Sequence, residues 1–160
     1  SCESGNSGWM LRSSGNVIQF YINDGNWTGC QTSSLELNRW YHVAATYQKG
    51  GGIALYLDGK KVGSSSCGTL QVTPNADLQA GTAPSYSDRY MRGYIQDLSL
   101  WKDVRTAEEV AADINCDFSG TEDGLNAYWP LNLNLGTSIT DKTGNHTVNL
   151  VDVVWENPEE

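Results

Sequence analysis

Apolar and polar positions alternate in several short stretches of the chain, and this alternation predicts strands. From Val17 to Asn23, Ile18, Phe20 and Ile22 fall on one side and Gln19, Tyr21 and Asn23 on the other, as in a half-buried strand. Asn23-Asp24-Gly25-Asn26 follows as a turn, with Asp24-Gly25 the hairpin dipeptide. Trp40 to Tyr47 repeats the pattern, with Tyr41, Val43, Ala45 and Tyr47 opposed to His42, Ala44 and Thr46. Gly50-Gly51-Gly52 predicts a loose reversal, after which Ile53, Leu55 and Leu57 point inward and Tyr56 outward. Asp58-Gly59 reads as a tight turn into a strand from Lys60 to Ser64. A two-residue turn there sets Leu55 opposite Val62 and Tyr56 opposite Lys61. The product is a three-stranded antiparallel meander with one apolar face, the pattern of a sheet laid on another sheet.

The second half is less regular. Leu78 to Gly81 and Gly93 to Trp101 read as strands, separated by a polar, aromatic loop from Thr82 to Arg92. Ile95 and Trp101 share one parity, Leu98 and Leu100 the other, so either both faces are covered or a bulge switches the register. Thr106-Ala107-Glu108-Glu109 fits a capping box, and Val110, Ala111 and Ile114 form an apolar stripe behind it. A helix this short is expected to cover a sheet end. Ala127 to Leu131 and Thr147 to Trp155 return to strand-like patterning, and Asn157 to Glu160 read as a frayed tail. There is no internal repeat and no evident linker, so residues 1–160 read as one all-β domain: two antiparallel sheets in a sandwich, with one short helix near 106–114.

Composition narrows the function classes. The formal net charge is −9 and no basic stripe is visible, which excludes a domain built on phosphate contacts, whether to nucleic acid or to an anionic membrane surface. No apolar run is long enough to span a bilayer. The chain begins at Ser1 without a signal peptide, as expected of a mature form or an excised piece. Six Trp and eight Tyr stand against two Phe, and rings with polar edges suit platforms for polar ligands as well as cores. Cys2, Cys30, Cys67 and Cys116 form no CxxC pair, which argues against zinc. They are compatible with two disulfides in any of three connectivities, or with four partly buried thiols. Asn26-Trp27-Thr28 and Asn145-His146-Thr147 are glycosylation sequons that matter only in a eukaryotic source.

Five blocks carry a family resemblance. Trp40-Tyr41-His42-Val43-Ala44 with Leu55-Tyr56-Leu57-Asp58-Gly59-Lys60 resembles "W-x-H-V-A … L-Y-x-D-G". Gly93 to Trp101 resembles "G-x-I-x-(D/E)-x-x-x-W", and Arg105 to Ile114 the helix that follows it. Gly124 to Leu131 is similar to "G-L-x-A-Y-W-x-F/L", and Asp141-Lys142-Thr143-Gly144-Asn145 to the "D-x-T-G-N" turn after it. In this order they resemble the laminin-G-like jelly rolls of the concanavalin A-like lectin/glucanase superfamily. The tail is most similar to C-terminal domains of multidomain surface proteins of gut-type Bacteroidetes. The resemblance implies a jelly roll that binds glycan beside a companion domain, in a secreted, periplasmic or cell-surface protein. Such domains open with a strand ahead of a segment like Trp9-Met10-Leu11-Arg12, where this sequence has little chain. A missing first strand is therefore expected, with an open or neighbour-covered sheet edge near Ala127 to Leu131.

The expected function is non-catalytic carbohydrate binding. Glucanase relatives carry catalytic acids spaced E-x-D-x-x-E on one strand, and none of the 19 acids here has that spacing. His42 has no accompanying nucleophile motif. A sugar needs a flat ring under its C–H face and amides or carboxylates around its hydroxyl rim. Two sets offer this. The first is an outward sheet face of Gln19, Tyr21, His42, Thr46 and Tyr56. The second, preferred, is a loop set of Trp27 with Tyr86, Asp88, Arg89 and Tyr90. Trp40, Trp101 and Trp129 are expected in the core or at sheet edges. No cofactor is expected; calcium is the alternative, since many laminin-G-like domains hold it at a loop rim, and Asp24, Asn26 and Asp88 are its candidate ligands. The rival classes are a protein-interaction or structural domain and a glycoside hydrolase.

Overall fold

Two units, residues 1–92 with 104–114 and residues 93–103 with 115–160, are built around separate apolar clusters. The computed structural model describes residues 2–4, 7–72, 74, 76–83, 89–132 and 136–155, the first three as backbone alone. The first unit opens with β1 (Cys2–Ser4), β2 (Ser7–Ser14), β3 (Val17–Asn23) and β4 (Trp27–Gln31), which pair in that order as one antiparallel sheet. A short strand thus stands ahead of the Trp9 segment and pairs with it. The loop after Asn23 holds three residues, because Asn23 pairs with Trp27, and the Gly25 N–H donates to Asn23 Oδ1 at 3.0 Å.

β5 (Val43–Gln48), β6 (Gly52–Leu57) and β7 (Lys60–Ser65) make the expected meander. Asp58 (φ 49°) and Gly59 (φ 76°) form its tight turn, both in the left-handed region that such hairpins demand. Tyr56 faces Lys61 as the spacing predicts, but Leu55 faces Gly63. A bulge between Leu55 and Tyr56 absorbs Val62, which stands 42% exposed. The strand also starts later than expected: Trp40 to His42 lie ahead of β5, and Trp40 is 51% exposed, outside the core. Phe20 and Ile22 from one sheet bury against Ile53 and Leu55 from the other, flanked by Trp9, Leu11, Val43, Ala45 and Tyr47. Each such side chain contributes about 1.5–3 kcal/mol on full burial.

Helix α1 (Ala107–Ala112) forms where the capping box places it. The Glu109 N–H donates to the Thr106 hydroxyl, and the Thr106 N–H to the Glu109 carboxylate at 2.8 Å. Arg105 clamps both ends through Glu109 and, bidentately, Asp113. Val110 packs on Ala54 and Tyr56, on the outer face of the β5–β7 sheet.

In the second unit β8 (Leu98–Trp101) pairs with β9 (Leu125–Trp129), and β10 (Ser138–Thr140) with β11 (Thr147–Asn149). The strand expected over 93–101 shrinks to β8 because Asp97 adopts φ 55°, which no strand residue holds. A register shift between Leu100 and Trp101 accounts for the parity switch. Leu78 to Gly81 forms no strand; among the described residues nearby, Thr82 and Tyr90 make a single bridge. The strand expected over Thr147 to Trp155 ends at Asn149, with one further backbone bond from the Leu150 N–H to the Thr137 carbonyl, and 157–160 lie outside the described residues. Trp101, Phe118 and Tyr128 stack edge to face at 5.3 and 5.1 Å around Leu125, and Trp129 is 2% exposed, so these two tryptophans pack as expected. On the edge of β9 away from β8, the Tyr128 N–H donates to the Asp141 carboxylate and its carbonyl accepts from Lys142. Among the described residues no helix is long and apolar enough to cross a membrane.

Candidate glycan-binding face

Cross-strand partners project to the same side of a sheet. The β2–β3–β4 register therefore gathers Met10, Arg12, Gln19, Tyr21, Trp27 and Gln31 on the face opposite the core. Arg12, Gln19 and Gln31 form one row. Arg12 Nε donates to Gln19 Oε1 at 3.0 Å, and Gln19 Nε2 donates to Gln31 Oε1 at 2.8 Å. The row leaves the remaining guanidinium N–H groups and the Gln31 amide protons for acceptors outside the protein.

Tyr21 and Trp27 are the aromatic half of the face, both half-buried. Tyr21 lies over Gly29, its partner across β4, and a Cβ at Gly29 would run into the ring. The guanidinium carbon of Arg12 sits 5.2 Å from the same ring centroid. Trp27 is the diagonal neighbour of Tyr21, roughly 7–8 Å away in such a ladder. Flat rings beside a row of amides and a cation can take the C–H face and the hydroxyls of a sugar together. Gly29→Ala should tilt Tyr21 off the sheet without straining the backbone. The Tyr21–Arg12 contact is expected to be lost with unchanged thermal stability, as nuclear Overhauser contacts between the two side chains beside a melting curve would show. An unchanged contact would mean that the ring does not rest on Gly29.

The two sets expected from the sequence are rearranged. Gln19 and Tyr21 belong to one sheet; His42, Thr46 and Tyr56 lie on the outer side of the other, so they make no common face. Tyr56 is 6% exposed, because α1 covers it. The His42 N–H donates to the Asp58 carboxylate and its carbonyl accepts from the Asp58 N–H, while its Nδ1 is buried with no partner among the described residues. Burial pushes its pKa down, against the pull of Asp113 and Asp58. Trp27 stands on strand β4, not in a loop. Arg89 and Tyr90 are exposed, Tyr90 at 67%, while Tyr86 and Asp88 lie outside the described residues.

Of the calcium candidates, Asp24 accepts from the Gly68 N–H at 2.6 Å and the Thr28 hydroxyl at 3.1 Å. The Gly68 bond is the chief reason its pKa is lowered, so this carboxylate ties the β3–β4 loop to the chain beyond β7. Asn26 is exposed in that loop, and Asp88 is not described. Among the described residues no three of His, Cys, Asp and Glu gather as a metal site would need. Arg12 and Gln31 were missed from the sequence. The two-residue turn Gly15-Asn16, which sets the β2–β3 register, is the signal that could have found Arg12.

Comparison with known proteins agrees with this architecture. A laminin-G-type family model, described as the concanavalin A-like lectin/glucanases superfamily, matches residues 2–111. A solved structure from Bacteroides ovatus, titled a "putative carbohydrate binding protein", superposes with a TM-score of 0.65 at 22% identity, covering 95% of this chain and 51% of that one. The chain thus spans about half the length of that protein. An S-layer domain-containing protein from Clostridium thermocellum is similar at a TM-score of 0.42 and 21% identity, over 68% of this chain and 57% of that one. No curated protein matches the sequence.

Proposed function

The chain belongs to the concanavalin A-like lectin/glucanase superfamily, and from that premise we propose that it is a non-catalytic carbohydrate-binding module. The observation that carries this reading is the β2–β3–β4 face, where Tyr21 and Trp27 adjoin the hydrogen-bonded row Arg12–Gln19–Gln31. Hydrolysis of a glycosidic bond needs two opposed carboxylates, and none of Met10, Arg12, Gln19, Tyr21, Trp27 and Gln31 carries one. The Bacteroides ovatus protein of similar fold bears a carbohydrate-binding description, which supports the same reading. The module would hold polysaccharide or glycoprotein glycan for a companion domain in a secreted, periplasmic or cell-surface protein. A shallow face buries little of a polar ligand, so the affinity of one site is modest.

A glycan array followed by calorimetry on the best ligand tests this. Tyr21→Ala and Trp27→Ala should each weaken binding about tenfold, the loss of roughly 1.5 kcal/mol of ring contact. The double variant should bind undetectably while keeping its fold. No binding across plant, host and microbial glycans, or full binding by the double variant, would refute the proposal.

A further inference from the structure

Helix α1 covers only part of the outer face of the β5–β7 sheet. Beyond Val110, the register places Thr46, Ala54 and Ser64 in one row and sets Gln48 opposite Gly52 in the next. The middle strand thus carries the smallest residues, and the strands beside it carry hydroxyls and an amide. Neighbouring strands lie about 4.8 Å apart, so the flanking two stand roughly 10 Å from each other. The result is a trough of about 450 Å³, to whose lining Tyr56, Ser65, Ser66 and Val104 also contribute. Its size suits one pyranose ring rather than a bare ion.

Its charge is one-sided. Lys61, across from Tyr56, is the one charged residue among the described residues of the lining. It makes no ion pair among them, although the chain carries a net charge of −9. A lysine ammonium is a compact point charge on a flexible stem, suited to a carboxylate approaching from several angles. The hydroxyls of Thr46 and Ser64 and the amide of Gln48 can both donate to and accept from sugar hydroxyls.

We propose that this trough is a second glycan site, selective for a sugar residue that carries a carboxylate. The Lys61 ammonium takes the carboxylate, and Thr46, Ser64 and Gln48 take ring hydroxyls. The ligand class rests on the proposed carbohydrate-binding function, but the site is separate from the Tyr21–Trp27 face and is read by different variants. The test titrates the whole chain with tetragalacturonate and with its neutral methyl ester, following affinity by calorimetry and amide shifts at 46, 54 and 64. The acid should bind at least tenfold tighter than the ester, and raising the salt from about 0.05 to about 0.5 M should weaken it several-fold. Lys61→Gln should erase the preference for the acid. Ser64→Leu, which fills the trough but keeps the cation, should abolish the shifts at 46, 54 and 64 with both ligands, whereas Tyr21→Ala, which acts on the other sheet, should leave those trough shifts in place even where it weakens total binding. Four outcomes would overturn the proposal: no binding at millimolar tetragalacturonate, an unchanged preference in Lys61→Gln, loss of the trough shifts in Tyr21→Ala, or inorganic sulfate binding as tightly as the sugar. None of them bears on neutral-glycan binding at Tyr21 and Trp27, so the two readings fail separately.

Discussion

Asp141→Ala should destabilise the second unit by about 3 kcal/mol. The carboxylate is 4% exposed and accepts four backbone N–H groups. Oδ1 takes His146 at 2.8 Å and Asn145 at 3.1 Å; Oδ2 takes Thr143 at 2.8 Å and Tyr128 at 3.3 Å. It thus pins the turn before β11 to the edge of β9. Alanine leaves these donors without their acceptor, and a buried donor left unpaired costs about 1–3 kcal/mol. Solvent can reach the exposed turn residues Asn145 and His146, which caps the sum. The same geometry sets an acid limit. Burial alone would raise the carboxyl pKa, but the bonds from Thr143, His146 and Tyr128 outweigh it and hold the group at about 2. A folded pKa below the unfolded value near 3.8 means the stabilisation is complete above about pH 4 and is lost as pH falls toward 2. Hydrogen exchange at Tyr128 and Asn145, followed from pH 5 down to 2.5, reads both effects. Protection in Asp141→Ala equal to wild type at pH 5 would contradict this account of the turn.

That turn was legible as a motif, and so was most of the meander, because both depend on local chemistry. Period-two alternation set the inward faces of β3, β5 and β6 correctly, and the Thr106–Glu109 capping box located α1. The misreadings share a different cause. Alternation tells which residues of one strand point the same way; it does not say which sheet the strand joins. Gln19 and Tyr21 therefore looked like companions of His42, Thr46 and Tyr56, although they face outward from the opposite sheet. Nor can alternation show that a helix some fifty residues downstream will cover Tyr56. Arg12 joins the candidate face only through its pairing with Gln19, and Gln31 only through the three-residue loop that sets Asn23 against Trp27. The bulge at Val62 and the left-handed Asp97 are small backbone events that end or shift a strand without changing its composition. Trp40 sits in the first motif block yet stands half in solvent, so a motif position does not by itself report burial.

Val110→Asp should release α1 and lower the stability of the first unit by about 3 kcal/mol. Val110 is 2% exposed and packs with Ala54 and Tyr56 in an apolar seat. An aspartate there loses about 2 kcal/mol of apolar burial and must desolvate its charge, so undocking is the cheaper response. A helix of six residues cannot persist alone, because nucleation is too unfavourable at that length. The Arg105 clamp to Glu109 and Asp113 would then open as well. Thr106→Ala provides the contrast. It removes the cap and costs about 1 kcal/mol, leaving the apolar seat intact. If packing rather than capping holds the helix, only Val110→Asp should expose Tyr56 to solvent quenchers and deprotect the amides of β6. Neutral-glycan binding at Tyr21 and Trp27 should survive in that variant, since those residues stand on the other sheet. Tetragalacturonate binding should be lost, since the trough needs Tyr56 and Val104 in place. Equal destabilisation by the two substitutions would mean that the cap, not the seat, anchors α1.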